Sequence, residues 1–308
     1  MQRRILPAGA LVLALTSACF PDYSYSEHEP IAPDTERVYS AKDAFDVSVQ
    51  GLTATVSFTH SFDMDGHEVT VGRYRAWLDA GMPLPCDDGT TTCSLDPGGP
   101  YEEQMVWQPT WSAATREAHY GANDCDGVVQ LQKNTFEIDN DDLPMTCVSW
   151  PQAVAYCAWQ GRRLPTEAEW QYAATGDGEG YTKFPYSYGS SEPTCDTAIY
   201  DECNFPVAVG TASDGASVDG VEDMTGSVFE WAWDAHWEDA PPDDSVDYTG
   251  PALATGSTSL NQEHFRNGGA FIHVKGAQEL RNDVPDQFSA DQFFNDAGFR
   301  CVRTVKQP

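Results

Sequence analysis

A chain of 308 residues with 48 acidic and 17 basic side chains carries a net charge of about −31. That charge excludes a nucleic-acid partner, because phosphate binding needs a basic footprint, and it assigns most of the carboxylates to a solvated acidic surface. The length suits one large domain, and a few carboxylates remain available for a hard cation, which takes oxygen ligands.

The first residues read as a targeting signal. Gln2, Arg3 and Arg4 form a short basic start, and residues 5–15 are apolar but too few to span a bilayer as a mature helix. Leu15-Thr16-Ser17-Ala18-Cys19 resembles a bacterial lipobox. It makes 1–18 a signal peptide and Cys19 the lipidated first residue of the mature protein. Ordinary signal-peptidase cleavage after Ala18 is the alternative, since Thr16 stands where the motif usually has Leu. Phe20 is not the Asp that retains lipoproteins at the inner membrane, so the expected location is the outer membrane, facing the periplasm or the outside. Export makes disulfides available. Eight cysteines follow Cys19, namely Cys86, Cys93, Cys125, Cys147, Cys157, Cys195, Cys203 and Cys301, enough for four bridges. Cys86 with Cys93 and Cys195 with Cys203 are close enough for local loops, but the sequence does not fix the connectivity.

Residues 19–46 are polar and aperiodic, a flexible tether that places the domain at 47–308. Residues 47–62 alternate as strand, with Val47 and Val49, then Leu52, Ala54, Val56 and Phe58 after a break at Gly51. Residues 63–67 read as a turn. Thr70 is placed to cap a short helix with Tyr74, Trp77 and Leu78 on one face, stopped by Gly81. The Gly-, Pro-, Asp- and Cys-rich stretch 82–142, punctuated by Tyr101, Trp107, Trp111 and Tyr120, suits ordered loops held by disulfides.

Two capping boxes then stand in tandem. Ser149 with Gln152 and Thr166 with Glu169 each fit S/T-x-x-E/Q, and Gly161 sits where a helix stop needs a left-handed residue. The segment reads as helix, tight corner, helix. Residues 221–234 and 265–271 are the next core pieces, and 297–303 is a final strand. His236, His264 and His273 lack paired ligand spacing and read as surface or core histidines. The Trp and Tyr residues chiefly fill the core.

These segments carry a resemblance. Val148-Ser149-Trp150, Tyr156-Cys157, Arg163-Leu164-Pro165-Thr166-Glu167-Ala168-Glu169-Trp170 and Tyr172-Ala173-Ala174 resemble the signature of the formylglycine-generating enzyme and sulfatase-modifying-factor family. Glu68-Val69-Thr70 with Tyr74, Phe184-Pro185-Tyr186-Ser187-Tyr188-Gly189, Pro206-Val207-Ala208-Val209-Gly210, Asp223-Met224-Thr225-Gly226-Ser227-Val228-Phe229-Glu230-Trp231, Arg266-Asn267-Gly268-Gly269-Ala270-Phe271 and Gly298-Phe299-Arg300 follow in the family's order. The implied fold is α+β: a compact, C-type-lectin-like domain with low regular secondary structure, stapled by disulfides.

The resemblance also implies sites. A structural Ca²⁺ would take carboxylates from Asp223 and Glu230 and backbone carbonyls from Gly226 and Val228. Asp196 and the Thr197 carbonyl match part of a second family site. A Cys157–Cys301 disulfide is implied by the family's YC and GFRC motifs, leaving Cys125 and Cys147 as a candidate fourth pair. The family's active oxidase holds Cu(I) with two cysteines in a C-x4-C arrangement after its GGS, as a soft ion requires. Here those positions are His273 and Gln278, and no cysteine lies between Cys203 and Cys301. Ser227, Phe229 and Ala270 depart from the pattern nearby. The expectation is therefore an envelope lipoprotein of this family that is not a copper oxidase and that binds a protein or glycan. The alternatives are a formylglycine-generating oxidase with atypical metal ligands and a purely structural envelope lipoprotein.

Overall fold

The computed structural model describes residues 36–305 apart from 41, 87–90, 118–124, 126–133, 176–184, 238, 240 and 254–259. The signal peptide, Cys19 and the expected tether up to residue 35 lie outside the described residues.

Alternating apolar residues in the first part of the domain produce four strands: β1 (Glu36–Tyr39), β2 (Lys42–Val49), β3 (Leu52–Phe58) and β4 (Ser61–Asp65). β2 and β3 pair as a hairpin with Val49 opposite Leu52. Its two-residue turn places Gln50 at φ 50° and Gly51 at φ 89°, the left-handed pair that matches strand twist.

Two expectations are corrected here. β1 and part of β2 fall within the segment read as tether. Tyr39 and Phe45 are buried and anchor it, although the composition around them is polar. Residues 63–65 end β4 rather than making a turn. Asp63 and Asp65 tolerate burial because Arg162 and Arg303 pair with the first and Arg73 and Arg162 with the second.

α1 (Val71–Asp79) starts at Thr70, whose Oγ1 accepts from Arg73 N at 3.3 Å, and Gly81 follows it at φ 85°. A short α2 (Trp111–Thr115) precedes the helix pair α3 (Trp150–Trp159) and α4 (Glu167–Thr175). Gly161 turns the corner between them at φ 68°. The second capping box closes fully: Thr166 N donates to Glu169 Oε2 at 2.9 Å and Glu169 N to Thr166 Oγ1 at 3.1 Å. The first capping box, Ser149 with Gln152, also forms, with Ser149 N donating to Gln152 Oε1 at 3.3 Å.

The later strands are β5 (Phe229–Ala235), β6 (Ser245–Val246), β7 (Glu263–Asn267), β8 (Asp286–Ser289), β9 (Ala297–Gly298) and β10 (Val302–Val305). Three small sheets result, ordered β1-β4-β10, β2-β3-β6 and β8-β7-β5-β9. β6 joins β3, and β9 joins β5, in parallel; the other pairs are antiparallel. The 297–303 segment thus serves two sheets.

The largest core cluster packs α1, α3 and β5 around indoles: Trp111 meets Trp107 edge-on at 5.4 Å and Trp150 at 5.0 Å. A second cluster seats Phe45, Phe58, Phe62 and Tyr172 between the first strands and α4. All eight cysteines pair, as Cys86–Cys93, Cys125–Cys147, Cys157–Cys301 and Cys195–Cys203, with Cα separations of 5.5–5.8 Å, inside the range a disulfide needs.

Candidate functional site

The segment expected to match the family's copper positions follows two left-handed glycines, Gly268 at φ 86° and Gly269 at φ 70°. A Cβ on Gly269 would stand 2.5 Å from the Glu279 carbonyl, so the backbone of 279 packs directly on it. The chain then folds into a tight corner. Ala270 N donates to His273 Nδ1 at 3.0 Å, His273 N to the Ala270 carbonyl at 3.0 Å, and Phe271 N to the Ser227 carbonyl at 2.8 Å. Phe271 lies flat on Phe205 at 3.7 Å and 2°. The His273 ring meets Phe229 edge-on at 5.2 Å. Burial holds its pKa below the ordinary imidazole value. Gln278 is exposed and opens a 3-10 turn (Gln278–Leu280).

Ala270 and Phe271 are buried, and His273 is half-buried. The corner is therefore a packed aromatic and backbone-bonded unit. It offers no thiolate, and His273 Nδ1 already accepts from the Ala270 backbone.

Beneath the corner, Arg266 is 2 % exposed and boxed by Phe229, Phe288 and Phe294, with ring centroids 4.1–4.5 Å from its guanidinium carbon. Asp286 at 2.9 Å and Asp296 at 3.5 Å neutralise it. His264 is a core residue: it stacks on Trp150 at 3.9 Å and Nδ1 meets the Trp233 carbonyl. Burial drops its pKa to about 3. His236 rests edge-on against Phe265.

The expected calcium residues lie on β5 and the loop before it. Asp223 and Ser227 take positive φ, 59° and 60°. Asp223 Oδ2 accepts from Gly210 N at 2.5 Å. Glu230 is gripped by Arg300, Nε to Oε2 at 2.7 Å and Nη2 to Oε1 at 2.6 Å, and Trp170 Nε1 donates at 2.9 Å. Val228 and Gly226 are buried between them. Beside this pair stands a residue the sequence reading used only as part of a motif. Glu68 is fully buried, and neither carboxylate oxygen makes a hydrogen bond. Burial, then the charges of Asp223 and Glu230, push its pKa well up, with Arg300 and Ser227 opposing. Among the described residues no three His, Cys, Asp or Glu side chains converge on one ion position. Asp196 is exposed and its carbonyl accepts from Asp214 N. The Thr197 carbonyl is crowded by Gly215, where a Cβ would come within 1.9 Å.

Sequence reasoning also missed a charged layer under α4. Arg163 donates to Glu169 at 2.7 and 2.8 Å. His60 bridges Glu169 at 2.9 Å and Asp247 at 3.0 Å. Burial alone would lower the His60 pKa, but the two carboxylates lift it to about 9. The capping-box pattern named Glu169 but said nothing of a second use for its carboxylate.

Comparison with known proteins fits this frame. Residues 36–305 match the family model for the sulfatase-modifying factor enzyme 1-like domain. The formylglycine-generating enzyme of Thermomonospora curvata is 29 % identical over 221 residues, 67 % of this chain and 68 % of that protein. Hercynine oxygenase of Mycolicibacterium smegmatis is 35 % identical over 141 residues, 44 % of this chain but only 32 % of that protein. The mouse "inactive C-alpha-formylglycine-generating enzyme 2" is 30 % identical over 179 residues, 54 % of this chain and 51 % of that protein. Two of these three alignments thus span about half or less of the relative. Among solved structures, PvdO from Pseudomonas aeruginosa superposes with a TM-score of 0.57 at 20 % identity, covering 88 % of this chain and 94 % of PvdO. Treponema denticola variable protein 1 gives 0.55 at 19 %, covering 88 % and 95 %. Both share the fold. The chain belongs to the sulfatase-modifying factor enzyme 1-like (formylglycine-generating enzyme) family.

Proposed function

We propose that this protein is a non-catalytic member of its family, an exported bacterial lipoprotein anchored through Cys19 that binds a protein or glycan at the envelope. One observation carries the reading: every cysteine from Cys86 to Cys301 is committed to a disulfide, and the motif resemblance would put His273 and Gln278, not cysteines, at the copper positions. A relative that is itself named inactive supports it. The full chain, incubated with a CxPxR peptide, oxygen and Cu(I), should leave the peptide mass unchanged and consume no oxygen. Copper-dependent conversion of the peptide cysteine would overturn the reading and restore the oxidase alternative. Labelling with palmitate in cells should mark the wild type and not Cys19→Ser; equal labelling removes the anchor.

The calcium reading belongs to the same proposal. Its support is Glu68, a buried carboxylate without a hydrogen bond beside two more carboxylates, an arrangement that is costly unless a proton or a cation joins it. Asp223 and Glu230, with the carbonyls of Gly226 and Val228, are oxygen donors of the kind Ca²⁺ takes. The ion would tie the β4–α1 connection to β5. After chelation, Ca²⁺ should raise the melting midpoint of the wild type and leave Glu68→Gln unmoved. The chelated Glu68→Gln protein should melt above the chelated wild type. No shift and no heat on calcium addition sinks the reading.

A further inference from the structure

The short ring closed by Cys195 and Cys203 differs from the other three bridges in what can reach its sulfurs. Cys147, Cys157 and Cys301 are fully buried. Cys86, Cys93, Cys125 and Cys203 are half-buried, and Cys195 is the one exposed cysteine among the described residues. Thiol–disulfide exchange needs a thiolate to reach one sulfur of the bond, so access selects which bridge opens. Attack on the exposed Cys195 Sγ expels the Cys203 sulfur. Cys203 Sγ stands 3.5 Å from the Ala198 carbonyl, an acceptor for the thiol that then forms.

The inner half of the ring is anchored without the bridge. Ser227 N donates to the Ile199 carbonyl at 2.8 Å, Ile199 pairs with Gly226, and Ala198 and Tyr200 are buried. The outer half has fewer holds. Asp201 and Glu202 are exposed, and Asp201 N donates to the His273 carbonyl at 2.8 Å. Phe205, two residues past the bridge, lies on Phe271. The bridge therefore clamps a segment that touches the 270–273 corner twice. The charge around the exposed sulfur is negative. Glu192, Asp196, Asp201 and Glu202 are all exposed, and each lies within three residues of one of the two cysteines. A thiolate approaches against that charge unless its own carrier is cationic.

We propose that Cys195–Cys203 is a thiol–disulfide exchange site, opened at Cys195 by a neutral or cationic dithiol, and that its reduction releases residues 201–205 from the 270–273 corner. The first thiolate of the dithiol bonds to Cys195 Sγ, the bond to Cys203 breaks, and Cys203 leaves as a thiolate that takes up a proton. The second sulfur of the dithiol attacks the mixed disulfide and frees Cys195. The dithiol loses two electrons and the bridge gains them. The proposal does not draw on the calcium or anchor readings.

The test is partial reduction of the native full chain with dithiothreitol, quenched with iodoacetamide and mapped by mass. Cys195 and Cys203 should be alkylated together before any other cysteine. In that reduced form the Asp201 amide should exchange with deuterium faster by roughly tenfold or more, while the Ser227 amide stays protected. At low salt, cysteamine should open the bridge roughly tenfold faster than 3-mercaptopropionate, each rate taken relative to a neutral model disulfide, and salt should shrink the ratio. The double variant Cys195→Ser with Cys203→Ser should show the fast Asp201 exchange without reductant, and the wild-type measurements decide the matter even where that variant fails to fold. Earlier labelling at any of the other six cysteines, unchanged Asp201 exchange in the reduced wild type, or equal rates for the two monothiols overturns the proposal.

Discussion

Arg300 closes on Glu230 through two nitrogens, 2.7 and 2.6 Å from its carboxylate oxygens, with both side chains essentially inaccessible to water. The pair ties the last segment of the chain to the centre of β5, and Arg300 also donates to the Asp65 and Glu222 carbonyls. Burying such a pair gains little, but breaking it strands a charge. Glu230→Gln should therefore cost about 3–5 kcal/mol in denaturant unfolding, and a loss below about 1 kcal/mol would show that Arg300 finds another partner.

The layer under α4 makes stability depend on alkaline pH. His60 is flanked by Glu169 and Asp247, with Arg163 opposing and the Tyr101 ring edge-on at 5.0 Å. Its folded pKa, about 9, lies above the ordinary 6.5. The folded state therefore holds a proton that the unfolded state releases. That stabilisation is complete below pH 6.5 and fades as pH rises through 9. His60→Gln should flatten the fall of unfolding free energy over this window. An unchanged slope would assign the effect to other groups.

Glu167 works on the acid side. It is buried, and desolvation raises its pKa to about 7, against hydrogen bonds from Asn267 and Gln171. Again the folded state holds the extra proton, so stability falls as pH climbs from about 4.5 to 7. Glu167→Gln should remove a slope worth at most about 3 kcal/mol across that range. The neighbouring Asp234, also raised, keeps its own share in the variant.

Cys157–Cys301 spans 144 residues and fastens α3 to the segment before β10. By loop-closure entropy, Cys157→Ala with Cys301→Ala should cost about 5 kcal/mol, more than removing the eight-residue Cys195–Cys203 link. Comparable losses in the two double variants would mean that the long bridge acts through strain or residual structure instead.

Much of this molecule is local and so could be read along the chain. Thr70, Thr166 with Glu169, and Gly161 act within one helical turn of themselves, and their hydrogen bonds form as the pattern says. The break at Gly51 is equally local. The reading of 63–65 as a turn failed for a different reason: an Asp-rich run looks exposed until its arginines arrive from positions 162 and 303. The early end of the tether failed because Tyr39 and Phe45 find their cover on Phe62 and Tyr172.

The sequence by itself determined the family frame and the helix starts. Only the tertiary structure decided what each charged side chain faces. It paired all eight cysteines, closed Arg300 on Glu230, left Glu68 without a hydrogen bond, and gathered three arginines around one cavity. Those outcomes depend on residues up to about 240 positions apart. Burial makes each pairing strong, and burial is a property of the packed chain, not of any segment of it.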